Sequence, residues 1–268
     1  MKNSFKNDAT FIALTAALLC GVLVVPSVFA CIMDSRILNG INVWVKPVKF
    51  QSSFALHWLT VTWLVVYIDH GTQNSSTLLW PLRIGGFASV IEVFYITLQA
   101  ARGRDSHFNF ETPLETILYY GLMGGAAVIM MVATAWVGWL IWRYPKQGIS
   151  KGLWLGAILG LLGGSILTLI ITAPLASGVV AGPGHWVGGI RNDSGGIPIF
   201  GWSTTGGDLR VPHFFATHSI QVLPLIGLLA DRIQPNKASL WVWSTVVLGL
   251  VLVIGTMVQA LRGVPFFS

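Results

Sequence analysis

The chain is poor in charge. Lysine, arginine, aspartate and glutamate make up 10% of its 268 residues, whereas a soluble domain carries about a quarter. With so few charges, most of its surface needs a non-aqueous solvent. Hydrophobic residues make up 54% and fall in runs of bilayer length, ~20 residues each. These runs predict an all-α integral membrane protein with seven transmembrane helices, near residues 9–31, 50–68, 84–101, 117–142, 153–175, 213–230 and 239–260.

Several motifs of membrane chemistry are missing. The two cysteines form no C-x-x-C-H haem attachment sequence, and the histidines form no H-x-x-x-H or H-E-x-x-H metal motif. The last apolar run contains no lysine that could form a Schiff base with retinal. The basic residues form no run, so the net charge of +6 does not indicate nucleic acid as a partner. A site must therefore be inferred from single polar residues within the apolar runs.

Two short connections are basic, "RYPKQGISK" (143–151) and "DRIQPNK" (231–237). With seven helices they lie on the same side, and short basic loops stay in the cytoplasm. We therefore predict a bacterial inner (plasma) membrane protein with a cytoplasmic N-terminus and its C-terminus outside.

The first apolar run has two interpretations. Lys2 and Lys6 precede it, and Val28 and Ala30 are small residues placed as a signal peptidase prefers. The run is therefore either a retained helix or a cleaved signal peptide, and the other helices keep their orientation in both cases.

Four polar segments share the predicted outer face. They are residues 39–50, residues 99–115, the loop 176–212 and the C-terminal "QALRG". The loop 176–212 is rich in glycine but contains Trp186 and Trp202, which favour a folded cap. A loop of that length in a compact protein is usually functional or disordered. The working part of the molecule is therefore expected to face outward.

The sequence contains a candidate internal repeat. "QAARG" (99–103) recurs as "QALRG" (259–263), and at an offset of 161 residues "KFQSSFALH" (49–57) lies over "RVPHFFATH" (210–218). The pattern predicts a 3+1+3 parallel internal repeat within one domain, 1–268, since an offset of four helices preserves orientation. Its parts are repeat A (9–103), the linker helix (117–142) and repeat B (153–263). The spacing of Gly156, Gly160 and Gly164 also predicts close backbone approach by the fifth helix.

Polar residues form one layer below the predicted outer surface. His57 and His218 lie at matching depths of ~10 Å on the second and sixth helices, and Glu92 lies ~14 Å deep on the third. A charge at membrane depth costs at least ~2.5–3.5 kcal/mol, so such residues normally face inward and are paired or functional. We predict a cofactor-binding set of His57, His218, Glu92 and Gln221. The predicted pocket rim consists of Lys49, Arg102, Arg104, Asp105, His107, Asp208, Arg210 and His213.

Three functions fit this layer. His57 and His218 are predicted axial ligands of a b-type haem, or metal ligands with Glu92 for a transition metal, in a redox protein that uses a quinone or another small molecule. The alternatives are a proton-coupled transporter of a small solute, and an enzyme acting on a lipid at the outer leaflet. Besides such a small molecule, the composition indicates the lipid bilayer as a partner. We expect His218→Ala to abolish ligand binding and His185→Ala to leave most of it.

Overall fold

The computed structural model describes residues 8–180 and 184–267, so Lys2, Lys6 and positions 181–183 of the predicted loop lie outside the described residues. The chain is mostly helical. The helices are α1 (Asp8–Gly21), α2 (Val24–Met33), α3 (Val45–Val65), α4 (His70–Gln73), α5 (Ser76–Ala101), α6 (Pro113–Ile117), α7 (Gly125–Arg143), α8 (Lys151–Ile158), α9 (Gly164–Ser177), α10 (Arg210–Ile233) and α11 (Ala238–Leu261). Two π-helical stretches, Leu118–Gly124 and Leu159–Gly163, join α6 to α7 and α8 to α9, and a 3-10 turn, Pro235–Lys237, precedes α11. Two short antiparallel pairs complete the fold: β1 (Ile37–Leu38) with β2 (Ile41–Asn42), and β3 (Trp186–Val187) with β4 (Gly207–Asp208).

Six helical segments of the described chain are long and apolar enough to cross a membrane. They are Asp8–Met33, Ser76–Ala101, Pro113–Arg143, Lys151–Ser177, Arg210–Ile233 and Pro235–Leu261. The second predicted run is also helical, as α3 of 21 residues, but it is not among these six and carries Lys46, Lys49 and Gln51 in its first two turns. The structure therefore supports several apolar helices compatible with a multi-pass membrane protein and does not confirm the count of seven.

One boundary differs from its prediction in an informative way. The third run was predicted to begin at residue 84, whereas α5 begins at Ser76 and continues through Pro81 and Arg83. The apolar run is interrupted by the charge of Arg83, but the backbone hydrogen bonds of α5 continue through this residue.

The helices form two packed groups with one segment between them. In the first group, α3 packs against α1 and α5. It runs antiparallel to α5, since Gln51 Nε2 donates to Thr97 Oγ1 (3.0 Å) and Trp58 Nε1 donates to Ser89 Oγ (2.9 Å). In the second group, α10 packs against α8, α9 and α11. The segment ending in α7 packs against α5 on one side and α8–α9 on the other.

Gly156, Gly160 and Gly164, predicted as a close-approach surface on the fifth apolar run, lie in the α8–α9 segment. The prediction is confirmed, because they pack closely against α10. A Cβ on Gly156 would collide with the carbonyl oxygen of Leu223, and a Cβ on Gly164 would lie 2.5 Å from Ser219 Oγ. The two backbones can approach this closely because the glycines carry no side chain.

The four segments predicted to share the outer face meet at one end of the helices, which we call the cap end. We call residues 184–209 the cap. Asn39 Nδ2 donates to Asp105 Oδ1 (2.7 Å), and the backbone N–H of Asp193 in the cap donates to the carbonyl of Asn39 (2.8 Å). Lys49 Nζ, in the second turn of α3, donates to the carbonyl of Phe200 in the cap (2.9 Å). The cap is therefore held by the first helical group as well as by its own strands.

The basic loops lie at the opposite end, which we call the basic end. The backbone N–H of Asp69 donates to Tyr144 (2.9 Å), so the α3–α5 connection meets the loop after α7. Asp231, near the end of α10, accepts the backbone N–H groups of Gly152 (2.8 Å) and Leu153 (2.7 Å) in the first turn of α8. Its carboxylate thus does the work of an N-cap side chain, which satisfies amides that have no intrahelical partner.

Candidate functional site

His57 is buried in the middle of α3. Its Nε2 lies 2.8 Å from Thr134 Oγ1 of α7, and its ring meets Trp58 edge-on. The Thr134 hydroxyl donates its hydrogen to the carbonyl of Met130 (2.9 Å). Because a hydroxyl has one hydrogen to give, the hydrogen of the His57 contact belongs to Nε2. The Nδ1 of a neutral His57 then carries the free lone pair.

His218 is half-buried on α10 and lies close enough to His57 to act on it electrostatically. Its ring packs against Phe214, with centroids 4.2 Å apart, and Gln221 lies beside it one turn along the helix. The structure therefore brings together three of the four residues predicted for the cofactor set, His57, His218 and Gln221.

Glu92 does not join them. It is buried on α5, its electrostatic neighbour is Cys20 of α1, and its Oε2 has no hydrogen-bond partner within the described residues. Across residues 8–180 and 184–267, no group of three or more His, Cys, Asp or Glu side chains is placed to hold a metal ion.

Three further histidines continue from this pair towards the cap. His213, in the first turn of α10, is an electrostatic neighbour of His218, and its Nδ1 lies 2.9 Å from Thr172 Oγ1 of α9. His107 lies near His213 and contacts the ring of Phe50 (5.2 Å between centroids).

His185 completes the series in the cap. It lies near His107, and its Nε2 is 3.3 Å from Asp193 Oδ1. We call His185, His107, His213, His218 and His57 the histidine path. The path contains five of the six histidines of the chain, and the sixth, His70, is exposed at the basic end.

Charged groups surround the outer part of the path. Asp193 pairs with Arg210 (2.8 Å), which also pairs with Asp208 (2.7 Å). Burial alone would raise the pKa of Asp193, but the hydrogen bond from His185 and the charge of Arg210 together lower it. Burial lowers the pKa of His107 well below its ordinary value, and the nearby Lys46 lowers it further. Burial also lowers the pKa of His185.

The remaining rim residues bind other loops. Arg102 and Arg104 each lie 3.5 Å from Glu115 Oε1, while Asp105 accepts the hydrogen bond from Asn39. The other oxygen of Glu115 accepts from Tyr95 and Gln99. These contacts tie the α5–α6 loop together at the cap end and lie beside the histidine path. No pattern in the sequence indicates the role of Glu115, because its partners are brought to it by the turn between α5 and α6.

Acidification is expected to loosen the cap. In the folded protein the pKa values of His107 and His185 are lowered, whereas in an opened cap they return to about 6.5, so the open form binds protons first. The cap is therefore stable above pH 6.5 and loses stability as the pH falls below it. Trypsin should cleave after the exposed Arg191 several-fold faster at pH 5.5 than at pH 7.5, after correction for its own pH dependence.

The matched control is the histidine outside the path. His107→Gln should reduce this pH dependence, and His70→Gln should leave it unchanged. Equal pH dependence in all three proteins would contradict the role of the buried imidazoles.

The predicted cofactor residues have other contacts in the structure. His57 presents a protonated Nε2 to Thr134, the ring of His218 packs on Phe214, and Glu92 faces α1. Within the described residues these side chains do not gather three metal ligands. The haem, the transition metal and the quinone remain predictions.

Comparison of the chain with models of known protein families, with curated proteins and with solved structures finds no match. The class of the protein therefore comes from its own helices, which are compatible with a multi-pass membrane protein.

Proposed function

We propose that the protein is a proton-coupled transporter of a small solute, in which the histidine path carries protons between the cap end and the buried pair His57 and His218. The path itself carries the proposal, because five of the six histidines are electrostatic neighbours between the cap and the buried pair. Intramembrane ionisable residues are expensive, and chains of them often form proton relays.

The hydrogen-bond partners of these imidazoles suit proton transfer. His57 and His213 each contact a threonine hydroxyl, His107 contacts Ser106 (3.1 Å), and His185 contacts a carboxylate. A neutral imidazole has one N–H donor and one acceptor nitrogen, and a hydroxyl likewise donates and accepts. Each imidazole on the path can therefore receive a proton at one ring nitrogen and release one from the other.

The topology we propose for this transporter is seven helices with a cytoplasmic N-terminus and a 3+1+3 repeat. The antiparallel course of α3 beside α5, and loops that meet alternately at the cap end and the basic end, support counting α3 as a seventh span. The inner-membrane location and the orientation are parts of this proposal and depend on the two basic loops.

Shared local geometry supports the repeat. In both copies of the Q-A-x-R-G motif the glutamine side chain donates to the carbonyl six residues later, at 3.1 Å from Gln99 and 2.6 Å from Gln259. The glycines of the two motifs, Gly103 and Gly263, have left-handed φ angles of 67° and 73° and end their helices in the same way. These conformations do not follow from apolar composition alone.

The path ends inside the molecule. Beyond His57, towards the basic end, the core consists of buried aliphatic side chains that include Val61, Leu64, Val137 and Leu140. A path that is closed towards the basic end is what alternating access requires of one of its states.

The relay predicts that water reaches His57 through the outer histidines. We expect the His57 ring N–H to exchange with solvent deuterium in the wild-type protein. His213→Gln should slow that exchange at least about tenfold, because an amide cannot accept a proton at one nitrogen and release one from another as imidazole does. The exchange is followed by NMR of protein carrying ¹⁵N-labelled histidine in lipid bilayers, with His70→Gln as the matched control.

Three outcomes would overturn the proposal. Exchange at His57 that is unchanged in His213→Gln would show that protons arrive by another route. Equal slowing in His70→Gln would show a general effect of substitution. An optical spectrum of the same sample with a Soret band, lost in His57→Ala and His218→Ala, would favour the haem protein instead.

A further inference from the structure

A second site lies on the outside of the first helical group and contains no histidine. It is an open groove between α1 and α5, lined by Phe11, Thr15, Leu19, Arg83, Phe87 and Val90 among others. Except for Thr15 and Arg83, these lining side chains are hydrocarbon.

The two helices that form the groove run parallel. Ala16 lies beside Gly86, where a Cβ would come within 3.0 Å of the alanine Cβ, and Cys20 lies near Glu92 further along. Both helices therefore begin at the basic end, and the groove extends from there towards the middle of the bilayer. Since the basic end is the proposed cytoplasmic side, the groove opens to the inner leaflet.

Arg83 is unusual among the charges of the candidate spans. It lies seven residues inside α5, ~10 Å from the helix start, and its side chain is exposed. Within residues 8–180 and 184–267, the other exposed charges in these spans lie within one turn of a span end. Its guanidinium lies over the exposed ring of Trp80 (5.4 Å), which is typical of the membrane interface.

A cation on the lipid-facing surface needs a counter-charge, because an isolated charge is costly at membrane depth. No acidic side chain of the described chain forms an ion pair with Arg83. The bilayer itself can supply the counter-charge, since anionic lipid headgroups bind to basic pockets between helices on the cytoplasmic side.

We propose that this groove binds an anionic phospholipid of the inner leaflet, with its phosphate at Arg83 and one acyl chain along Thr15, Leu19, Phe87 and Val90. The charge at one end and the hydrocarbon lining beyond it match the two parts of such a lipid. The site is independent of the proposed proton transfer.

Native mass spectrometry of the full-length protein in detergent tests the proposal, with phosphatidylglycerol and phosphatidylcholine of identical chains as probes. We expect the wild-type protein to prefer phosphatidylglycerol by about fivefold, as one arginine near the headgroup region provides. Arg83→Gln should reduce this preference to near one. Thr15→Phe, which fills the groove, should weaken binding of both lipids.

The matched control is Arg143→Gln, because Arg143 is also exposed at the basic end and lies over an aromatic ring, that of Tyr144 (5.3 Å). An equal loss of preference in Arg143→Gln and Arg83→Gln would overturn the site, since it would indicate diffuse attraction to basic residues. The site would also be overturned if inorganic phosphate competed with an affinity equal to that of the lipid, because the acyl chain would then contribute nothing to binding. A dimer that Thr15→Phe disrupts would assign the groove to a second copy of the chain.

Discussion

Gly156→Ala is expected to destabilise the protein at or above the upper end of the ~1–3 kcal/mol range measured for overpacked cores. The added methyl would meet the carbonyl oxygen of Leu223, with the carbonyl carbon of that residue and the Cα of Pro224 both 2.9 Å away. All three are backbone atoms of α10, so no side chain can rotate to make room. The α8–α9 segment and α10 would have to separate. The first visible effect should be a large fall in the thermal unfolding temperature in detergent.

The same helix provides the matched control. At Gly163 an added Cβ would meet no atom within 4 Å beyond the adjacent residues and the backbone of its own helix. Gly163→Ala is therefore expected to be neutral, or to gain up to about 1 kcal/mol from the better helix propensity of alanine. Equal unfolding temperatures for the two alanine variants would mean that the close contact with α10 does not stabilise the fold.

Glu115→Ala should cost about 3 kcal/mol or more. The Glu115 side chain is 5% exposed, and one of its oxygens accepts from Tyr95 Oη and Gln99 Nε2, both at 2.9 Å. Hydrogen bonds to a charged group contribute about 1.5–3 kcal/mol each, and removing the carboxylate leaves both buried donors without this acceptor. The nearby Arg102 and Arg104 would also lose their shared counter-charge.

Glu111→Ala is the control for charge alone. Glu111 is 65% exposed and lies 4.0 Å from Arg104, so it has the same charge near the same arginine without the burial. An exposed pair of this kind contributes about 0–1 kcal/mol. The unfolding temperatures of the two variants should therefore differ by several degrees, and a small effect in both would show that the α5–α6 loop does not depend on the buried carboxylate.

The sequence predicted those features that depend on residues within one helix. The four-residue spacing of the glycines in the α8–α9 segment can be read from the sequence. The similar depth of His57 and His218 can be read from it as well. Each follows from helical geometry, which fixes depth and direction once the helix is known. The apolar runs likewise located the helical segments, although a single arginine moved the predicted start of α5 by eight residues.

Contacts between separate loops could not be predicted in this way. His107 and His185 join the histidine path because the α5–α6 loop and the cap fold over the same helix ends. Hydrophobic periodicity does not predict contacts between two loops. Arg102 and Arg104 were predicted at a pocket rim since they are charged and near the surface. Their pairing with Glu115 depends on a turn whose conformation is fixed by tertiary contacts.

The contact between Asp231 and the start of α8 has a consequence for how the protein is made. The chain is synthesised from its N-terminus, so Gly152 leaves the ribosome 79 residues ahead of the aspartate that binds its amide. The start of α8 therefore lacks this partner until the end of α10 has been made. The contact can form only when α10 lies beside α8, so it joins the two ends of a helical hairpin whose second helix comes much later in the chain.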